Sequence, residues 1–369
     1  MVRSILFMKV HIVCLFVVAL YGQNAFSQTI THDLIFYNVE NLFDTIDDPL
    51  INDEEFLPGG RYRWNGERYL HKLDQLSRVI SNDGHGPLPA IVGLCEIENR
   101  VVLEDLVATE RLKGAGYAIV HHDSPDDRGI DVALLYQPAH FQVLLSYPLP
   151  VKLPYDLEFR TRDILYVRGI MGIDTIHLYV NHWPSRRGGA DVSEPKRVQA
   201  ASVLRQHLDL MAPQFRQFHV VIMGDLNDEP MDRSVSEVLG ALTFGFECPG
   251  DPKTCIHNLS TLIPEGKGTY HYWRDKKWNV LDQIIVSTSL IDSSAMRADG
   301  TVRYLWSSFS VPQDTFLLKE ENGVMVPLSS FARDYQGGFS DHLPVKMTIT
   351  VKTAPIGESR KWQRKKAKK

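Results

Sequence analysis

The segment from His219 to Asp228, HVVIMGDLND, constrains the fold of this chain most. Its apolar, β-favouring run from Val220 to Met223 predicts a buried strand. A glycine follows, and the strand would then deliver the Asp225 carboxylate and the Asn227 amide to one edge of a sheet. If the chain is locally extended there, both side chains point to the same side. Such a pair suits a hard cation and a phosphate oxygen, although Gly, Asp and Asn also favour ordinary turns.

Polar residues follow or interrupt several other apolar runs, which favours an active site over a chance turn. The runs are Leu34–Phe43 with Asn38, Glu40 and Asn41; Ala90–Asn99 with Glu96; Thr175–Arg186 with Asn181 and His182; Trp278–Ser287 with Asp282; and Gly337–Val351 with Asp341 and His342. Active sites are commonly built in this way, from loops on a rigid sheet. Packing alone does not require acids at these positions, because burying an unpaired polar group costs about 2 kcal/mol or more.

These segments, in this order, resemble the endonuclease/exonuclease/phosphatase superfamily, to which pancreatic deoxyribonuclease, apurinic endonucleases and neutral sphingomyelinases belong. The resemblance extends from about Asp33 to Val351, and its specific parts are GDLND from Gly224 and SDHLP from Ser340. The motifs NVENLFD, CEIEN, RGIDVALLY and NHWPSR are similar to those of secreted bacterial nuclease-like members. The resemblance implies an α+β fold, a four-layer sandwich of two mixed β-sheets packed face to face with helices on the outside.

The resemblance also implies a metal-dependent phosphodiester hydrolase. Glu96 is the first expected metal ligand, with Asn38 and Asp341 beside it, and the expected ion is Mg²⁺, with Mn²⁺ or Ca²⁺ as alternatives. Asp225 and Asn227 would orient the attacking water and the scissile phosphate.

Two histidines complete the expected catalytic set. His182 lies where pancreatic deoxyribonuclease has a catalytic histidine, and it is expected to give a proton to the leaving oxygen. By the same resemblance, His342 is expected to pair with Asp282, which would fix the imidazole tautomer and raise its pKa.

Several neighbouring residues are further candidates for the site or for its support. Arg128 is a candidate phosphate contact, and its alternative is a surface ion pair with Asp126 or Asp127. Arg186, beside Arg187 in a basic loop, is a second candidate phosphate contact. Asp131 is a candidate support for a catalytic histidine, whereas Glu98 and Asn99 are expected to cap the helix that starts near Arg100.

The chain is expected to form one catalytic domain over residues 28–352. Its 369 residues could hold two domains, but no linker or repeat divides the site segments, which span almost the whole length. A hydrophobic content of 44% supports a sizeable core. Helices are expected over Glu67–Ile80, Arg100–Lys113 and Glu194–Met211, strands over Tyr117–His122, Ile130–Tyr136, Phe141–Tyr147 and Ile164–Ile170, and a surface loop over Asp44–Tyr62.

The sequence of residues 1–27 is typical of an export signal. The protein is therefore expected in the periplasm or outside the cell. The apolar run Val10–Leu20 is too short to span a bilayer, and Ala25-Phe26-Ser27 offers a cleavage site. Export implies an oxidising compartment. Cys248 and Cys255 could then close a small loop, and Cys95 is expected to be a buried free thiol.

Positive charge is concentrated at the C-terminus, in a tail over residues 353–369 that is expected to be disordered. The last ten residues, Arg360–Lys369, hold seven basic side chains and no acid. Subtracting these and Arg3 and Lys9 of the leader from the net charge of −5 leaves −14 for the body between them. An acidic body is not a broad nucleic-acid groove, so a polyanion would bind locally. The tail is either a solvated end or a contact to nucleic acid or an anionic membrane surface.

The substrate expectation is DNA and/or RNA, hydrolysed by an endonuclease that is a monomer without a stable protein partner. Inositol polyphosphate phosphatases are disfavoured because Glu229 stands where their WxGDxNxR segment has its arginine. Export disfavours a repair enzyme of the cell interior. A sphingomyelinase-like or other secreted phosphoesterase is the alternative, and a non-catalytic binding module is less favoured. The choice between DNA and RNA, endo or exo action, and the number of metal ions stay open.

Overall fold

Two mixed β-sheets form the centre of the structure, a computed structural model that describes residues 29–291 and 302–352. The strands, in chain order, are β1 (Thr29–Leu42), β2 (Ile91–Ile97), β3 (Ala118–His121), β4 (Asp131–Tyr136), β5 (Phe141–Leu149), β6 (Ile164–Met171), β7 (Asp174–His182), β8 (His219–Asp225), β9 (Ala241–Thr243), β10 (Ile256–Asn258), β11 (Tyr270–Tyr272), β12 (Lys277–Asn279), β13 (Asp282–Ser287), β14 (Val302–Tyr304), β15 (Leu318–Glu321), β16 (Val324–Pro327) and β17 (Val345–Lys352). The helices are α1 (Gly66–Ile80), α2 (Arg100–Ala108), α3 (Ala190–Met211) and the single turn α4 (Thr288–Ile291).

The strand order places the chemistry-bearing strands at the middle of both sheets. One sheet runs β14-β17-β1-β2-β4-β3 and the other β5-β6-β7-β8-β13-β10-β9. β1 is parallel to β2, and β7 is parallel to β8, so the carboxyl ends of each pair lie together. β13 is antiparallel to β8 and begins opposite the end of β8. Two separate hairpins, β11–β12 and β15–β16, complete the strands.

The alternation of β8 shows how the layers pack. Val221 and Met223 belong to the core between the two sheets, whereas Val220 and Ile222 pack against α3 on the outside, as the two-residue period of a strand requires. On the other sheet, α1 and α2 cover the outer face in a third core cluster. The order helix, sheet, sheet, helix confirms the expected four-layer sandwich.

Two helix boundaries differ from the sequence prediction. α2 ends at Ala108 rather than Lys113, because Thr109 adopts an extended backbone and its hydroxyl donates to the Leu106 carbonyl. α3 begins at Ala190 rather than Glu194, and it accommodates Pro195. Arg197 donates to the Ala190 carbonyl at 2.8 Å, so this side chain satisfies a backbone carbonyl of the first turn.

The segment 44–62 is a mostly exposed loop, as expected, but it is anchored to the core at two aromatic residues. It contains a short 3₁₀ turn over Glu54–Phe56, and Phe56 and Tyr62 are buried. Phe56 stacks on Phe43 with ring centroids 4.2 Å apart. The many acidic residues of this segment predicted exposure throughout and gave no sign that Phe56 and Tyr62 are buried.

The cysteine expectations are confirmed: Cys248 and Cys255 form a disulfide, and Cys95 is free and buried. The export signal and the basic tail lie outside the described residues. Within residues 29–291 and 302–352, no helix has the length and apolar character needed to cross a membrane.

Candidate active site

One cleft of about 970 Å³ opens where the carboxyl ends of β1, β2, β7 and β8 meet. Eight of the ten predicted site residues line it, namely Glu96, Arg128, His182, Arg186, Asp225, Asn227, Asp341 and His342. The other two, Asn38 and Asp282, are bonded to residues of the lining. The structure therefore brings the whole predicted set together at one end of the sandwich.

Irregular strand ends turn these side chains into the cleft. The pairing of β2 shifts register between Cys95 and Ile97, and Glu96 between them has a left-handed backbone with φ 63°. The pairing of β1 shifts between Asn38 and Leu42, across the left-handed Glu40 and Asn41. Such bulges commonly re-aim side chains beside active sites, and each left-handed non-glycine residue costs about 1–3 kcal/mol. The surrounding hydrogen bonds must supply that energy.

Asp225 is the centre of a hydrogen-bond network. Its Oδ2 accepts from Asn38 Nδ2 at 3.0 Å, and its Oδ1 accepts from the Asn227 backbone N–H at 2.9 Å. Asn227 has φ 52°, so the expectation of an extended chain from Asp225 to Asn227 is wrong. The reason is the turn itself, in which the aspartate side chain captures the backbone N–H two residues on. Asn227 instead donates its amide to the Trp183 carbonyl at 3.0 Å.

Burial raises the pKa of Asp225 to about 6, and the carboxylates of Asp282 and Glu96 add to the rise while cationic His342 opposes it. A carboxyl with such a pKa can exchange protons near neutral pH.

Glu96 is held as an anion at the mouth of the cleft. Burial opposes its ionisation, but Arg128, His342 and Arg162, together with the Asn41 N–H, lower its pKa below the usual value. Arg128 Nη2 lies 3.6 Å from Glu96 Oε2, and the Asn41 N–H donates to the same oxygen at 3.0 Å.

Asp341 faces the same cleft, and burial together with repulsion from Glu96 raises its pKa although His342 opposes the rise. Two neighbouring carboxylates with an amide close by form an oxygen-rich donor set that suits a hard divalent cation. Asn38 Oδ1 accepts from the Glu40 N–H and keeps a second lone pair for a metal. Asn38, Glu96 and Asp341 therefore fit a metal ion chemically.

A second group could also hold a metal, because ligand atoms of Asp225, Asp282 and His342 all lie within 4.8 Å of one another. His342 Nδ1 is already bound to Asp282 Oδ2 at 2.7 Å. Burial opposes the charge of His342, but Asp282 and Asp225 raise its pKa well above the usual value. Since a protonated imidazole is not a metal ligand, the oxygen-rich set is better suited. The expected Asp282–His342 pair is present in the structure.

His182 is the neutral histidine of the site. Burial and the nearby cations Arg162, Arg128 and His342 lower its pKa well below the usual value. Its Nε2 lies 3.8 Å from Glu96 Oε1 and 3.7 Å from Asp225 Oδ2, and its buried Nδ1 has no hydrogen-bond partner among the described residues. A neutral ring can hold a phosphate oxygen or a water by one N–H, but it does not start as a cationic acid.

The two arginines differ in their freedom. Arg128 also donates to Asn41 Oδ1, so its guanidinium faces the cleft and not Asp126 or Asp127. Asp126 pairs with the buried Arg162 at 2.9 Å. Arg186 donates to the Asn227 carbonyl at 2.7 Å and to Asp232 Oδ2 at 2.7 Å, and it lies 3.3 Å from Asp228.

Arg186 therefore stabilises its own loop through these contacts. Its neighbour Arg187 is exposed in the cleft lining and is better placed to contact a substrate phosphate.

The expectations for the neighbouring acids had mixed outcomes. Asp131 accepts from His121 Nε2 at 2.9 Å and contacts neither cleft histidine, so its expected support of a catalytic histidine is wrong. The Asn99 cap of α2 is confirmed, because its Oδ1 accepts from the Val102 N–H at 3.1 Å. Glu98 does not cap that helix and instead accepts from the Asp44 N–H at 2.6 Å.

Sequence reasoning missed the residues that support the site from below. Lys72 is fully buried and donates to Ser330 Oγ at 2.6 Å and to the Phe339 carbonyl at 2.8 Å. Ser340 Oγ donates to the Asn38 carbonyl at 2.7 Å and accepts from the His342 N–H at 3.0 Å, which joins the last loop to β1. Ser340 stands in the SDHLP motif, but Lys72 carries no sequence signal, since a lysine in an amphipathic helix usually faces water.

The fold is a four-layer sandwich, and its central strands end at a cleft lined by acids, amides and histidines. Together these features define a class of hydrolases that act on phosphate esters. The model of the Endonuclease/Exonuclease/phosphatase family matches residues 33–351. The chain belongs to this family and is a metal-dependent phosphodiester hydrolase.

Solved structures share the fold at low sequence identity. D. rerio TDP2 complexed with single strand DNA product is 14% identical with a TM-score of 0.52, over 86% of this chain and 98% of that chain. Truncated Caenorhabditis elegans TDP2 is 14% identical with a TM-score of 0.51, over 87% and 98%. An endonuclease/exonuclease/phosphatase family protein from Bacteroides thetaiotaomicron is 14% identical with a TM-score of 0.52, over 88% and 99%. No curated protein sequence gives a match.

Proposed function

We propose that the protein is an exported endonuclease that hydrolyses DNA and/or RNA with the help of Mg²⁺. The observation that carries the proposal is the cleft that joins an acidic centre to a cationic border. Arg187, Arg274 and Lys277 are exposed in its lining. Such cations would hold phosphates on either side of the one that reacts, whereas a small phosphate ester would not reach them.

Asn38, Glu96 and Asp341 would hold the ion, which supplies charge neutralisation at the phosphate and organises the leaving oxygen. Mn²⁺ or Ca²⁺ could replace it in the same oxygen-rich set.

The chain's own residues would then divide the work. Asp225, with a pKa of about 6, would orient the attacking water and accept its proton. Cationic His342, held by Asp282, would stabilise the negative charge that develops on the phosphate and would give its proton to the leaving oxygen. Neutral His182 would hold a phosphate oxygen or a water by its N–H, in place of the proton transfer to the leaving oxygen that the sequence led us to expect.

The solved structure of D. rerio TDP2 with a single strand DNA product supports nucleic acid as the substrate class, since the same fold there holds a DNA strand. A phospholipid such as sphingomyelin is the second candidate, and the observation that favours it is Trp273, which is 67% exposed beside the cleft.

A substrate panel tests the proposal. The purified protein is assayed with DNA, RNA, sphingomyelin and bis-p-nitrophenyl phosphate in Mg²⁺, Mn²⁺, Ca²⁺ or EDTA. We expect metal-dependent cleavage of a nucleic acid within the chain, and none in EDTA. Hydrolysis of sphingomyelin without cleavage of any nucleic acid would overturn the nuclease and favour the lipid. Full activity after dialysis into EDTA would overturn the metal mechanism.

A further inference from the structure

A second groove adjoins the catalytic cleft and has no role in the mechanism above. It encloses about 600 Å³ between the β11–β12 hairpin on one side and the β15–β16 hairpin with the loop at 329–333 on the other. We call it the hairpin groove. Tyr270, Trp273 and Asp341 line both the catalytic cleft and the hairpin groove, so the two cavities meet at an expected metal ligand.

The wall of the hairpin groove is apolar and firmly anchored. Val324, Val326, Pro327 and Phe331 line it opposite Trp273. Phe331 is buried, and its ring lies 5.3 Å from that of Phe56.

The backbone behind this wall is tied to the catalytic centre. The Glu40 carboxylate accepts from the Ser330 N–H at 2.7 Å and from the Phe331 N–H at 3.2 Å, and Lys72 donates to Ser330 Oγ at 2.6 Å. Glu40 is two residues from Asn38 on β1. The groove is therefore preorganised by the same strand that positions the metal site.

The border of the hairpin groove is cationic. Arg61, Lys276, Lys319 and Arg333 line it, against the acids Glu321 and Asp341. Arg61 pairs with Glu55 at 3.2 Å and Lys319 with Glu321 at 3.4 Å.

The exposed Lys276 and Arg333 form no ion pair within the described ranges 29–291 and 302–352. Apolar walls with free cations at the border suit a ligand that carries planar apolar groups and repeated negative charges. An acyl chain would use the walls but not the cations.

We propose that the hairpin groove binds the unpaired nucleic-acid strand on one side of the scissile phosphate, while the catalytic cleft binds the other side. Bases would lie on the apolar wall and against Trp273, and phosphates would face Lys276 and Arg333. The β11–β12 hairpin would then stand between two consecutive stretches of one strand. This inference rests on the proposed nuclease function and names its substrate class, a single strand rather than a duplex.

Charge reversal tests the groove without touching the catalytic centre. Lys276→Glu/Arg333→Glu alters two exposed side chains that do not line the catalytic cleft. The matched control is Arg216→Glu/Lys253→Glu, the same change in net charge at exposed positions outside both linings.

The substrates are a single-stranded DNA oligonucleotide, its duplex and bis-p-nitrophenyl phosphate. We expect wild type to prefer the single strand. Lys276→Glu/Arg333→Glu should raise KM for the single strand by about tenfold or more and flatten its salt dependence, while turnover of the small diester stays within about twofold. The control should leave all three substrates close to wild type.

Stacking is tested separately at Trp273, whose exposure makes substitution harmless to the fold. Trp273→Ala should raise KM for the single strand about fivefold to 100-fold, and Trp273→Phe should restore most of the affinity because it keeps an aromatic face.

Distinct outcomes separate the two proposals. Wild type that cleaves bis-p-nitrophenyl phosphate but neither nucleic acid would overturn the nuclease itself. Wild type that cleaves the single strand, with Lys276→Glu/Arg333→Glu no different from the control, would overturn the groove alone. An equal loss on the small diester would also overturn it, because the two cations would then act through the catalytic centre.

Discussion

Replacing Asp282 with asparagine tests the pair that makes His342 the cation of the site. The carboxylate is fully buried, and its Oδ2 lies 2.7 Å from His342 Nδ1. Asparagine keeps the shape and one acceptor but removes the negative charge. The pKa of His342 should fall toward its usual value, since only Asp225 and, more weakly, Asp341 then remain to oppose burial.

The size of the effect follows from that loss of charge. A positioned acid or base group typically contributes at least about 10²-fold to a rate, which corresponds to about 2.7 kcal/mol of transition-state stabilisation. In wild type His342 stays protonated well above pH 6.5. In Asp282→Asn it should lose its proton as the pH rises through the ordinary histidine range. The fold-loss relative to wild type should therefore be smallest near pH 6 and grow toward pH 8.

The measurement is kcat/KM of both proteins for bis-p-nitrophenyl phosphate across this range, with their unfolding curves. Asp131→Asn is the matched control, because His121 Nε2 and Asp131 Oδ2 form a similarly buried pair at 2.9 Å outside the cleft lining. It should lose comparable stability yet stay close to wild type in kcat/KM. A fold-loss in Asp282→Asn that is constant with pH, or full activity, would refute the role given to this pair.

Three further changes probe the site and its surroundings. Glu96→Gln should lose metal affinity and rate together, which calorimetry with Mn²⁺ and a rate titration check; unchanged affinity would exclude Glu96 as a ligand. His182→Ala should cut turnover by roughly 10²-fold or more without a change in the unfolding midpoint. A loss of stability large enough to account for the lost turnover would make the role of His182 structural. Burial raises the pKa of Glu98 from 4.5 to about 8, so the folded state holds its proton more tightly than the unfolded state. Its contribution to stability is full below pH 4.5 and declines up to pH 8. Between pH 4.5 and pH 8 the free energy of unfolding of Glu98→Gln should therefore rise relative to that of wild type, on the order of 3 kcal/mol. Urea unfolding at several pH values measures this difference, and a difference that does not change with pH would contradict the buried carboxyl.

The layers of the fold followed from the resemblance to a known superfamily, and the membership of the site followed from that resemblance together with the polar residues at the ends of apolar runs. The continuous apolar run from Val220 to Met223 indicates a strand covered on both faces, and the structure confirms it with alternate residues in the two core layers. The polar residues at the ends of such strands must meet wherever parallel neighbours end together. Parallel pairing of β1 with β2 and of β7 with β8 brings Glu96 and His182 to one cleft.

The backbone at those ends was not predictable in the same way. Nothing local marks Glu96 as left-handed, since glutamate has no preference for positive φ. Its conformation is imposed by the register shift against β4 and by the Asn41 N–H that binds its carboxylate. Likewise, Arg186 and Arg187 are adjacent and alike in sequence. Only the long-range position of Asp232 decides that Arg186 is held internally while Arg187 is free.

The distribution of charge connects the acidic body to a narrow choice of substrate. With a net charge of −14 between the leader and the basic segment Arg360–Lys369, most of the body repels a polyanion. At physiological salt that repulsion is screened beyond about 8 Å, so binding depends on contacts inside that range. A flexible single strand can bring its phosphates to Arg187, Lys276 and Arg333 one at a time. A stiff duplex would also bring its flanking phosphates against the acidic surface around them, and this difference favours the single strand on electrostatic grounds.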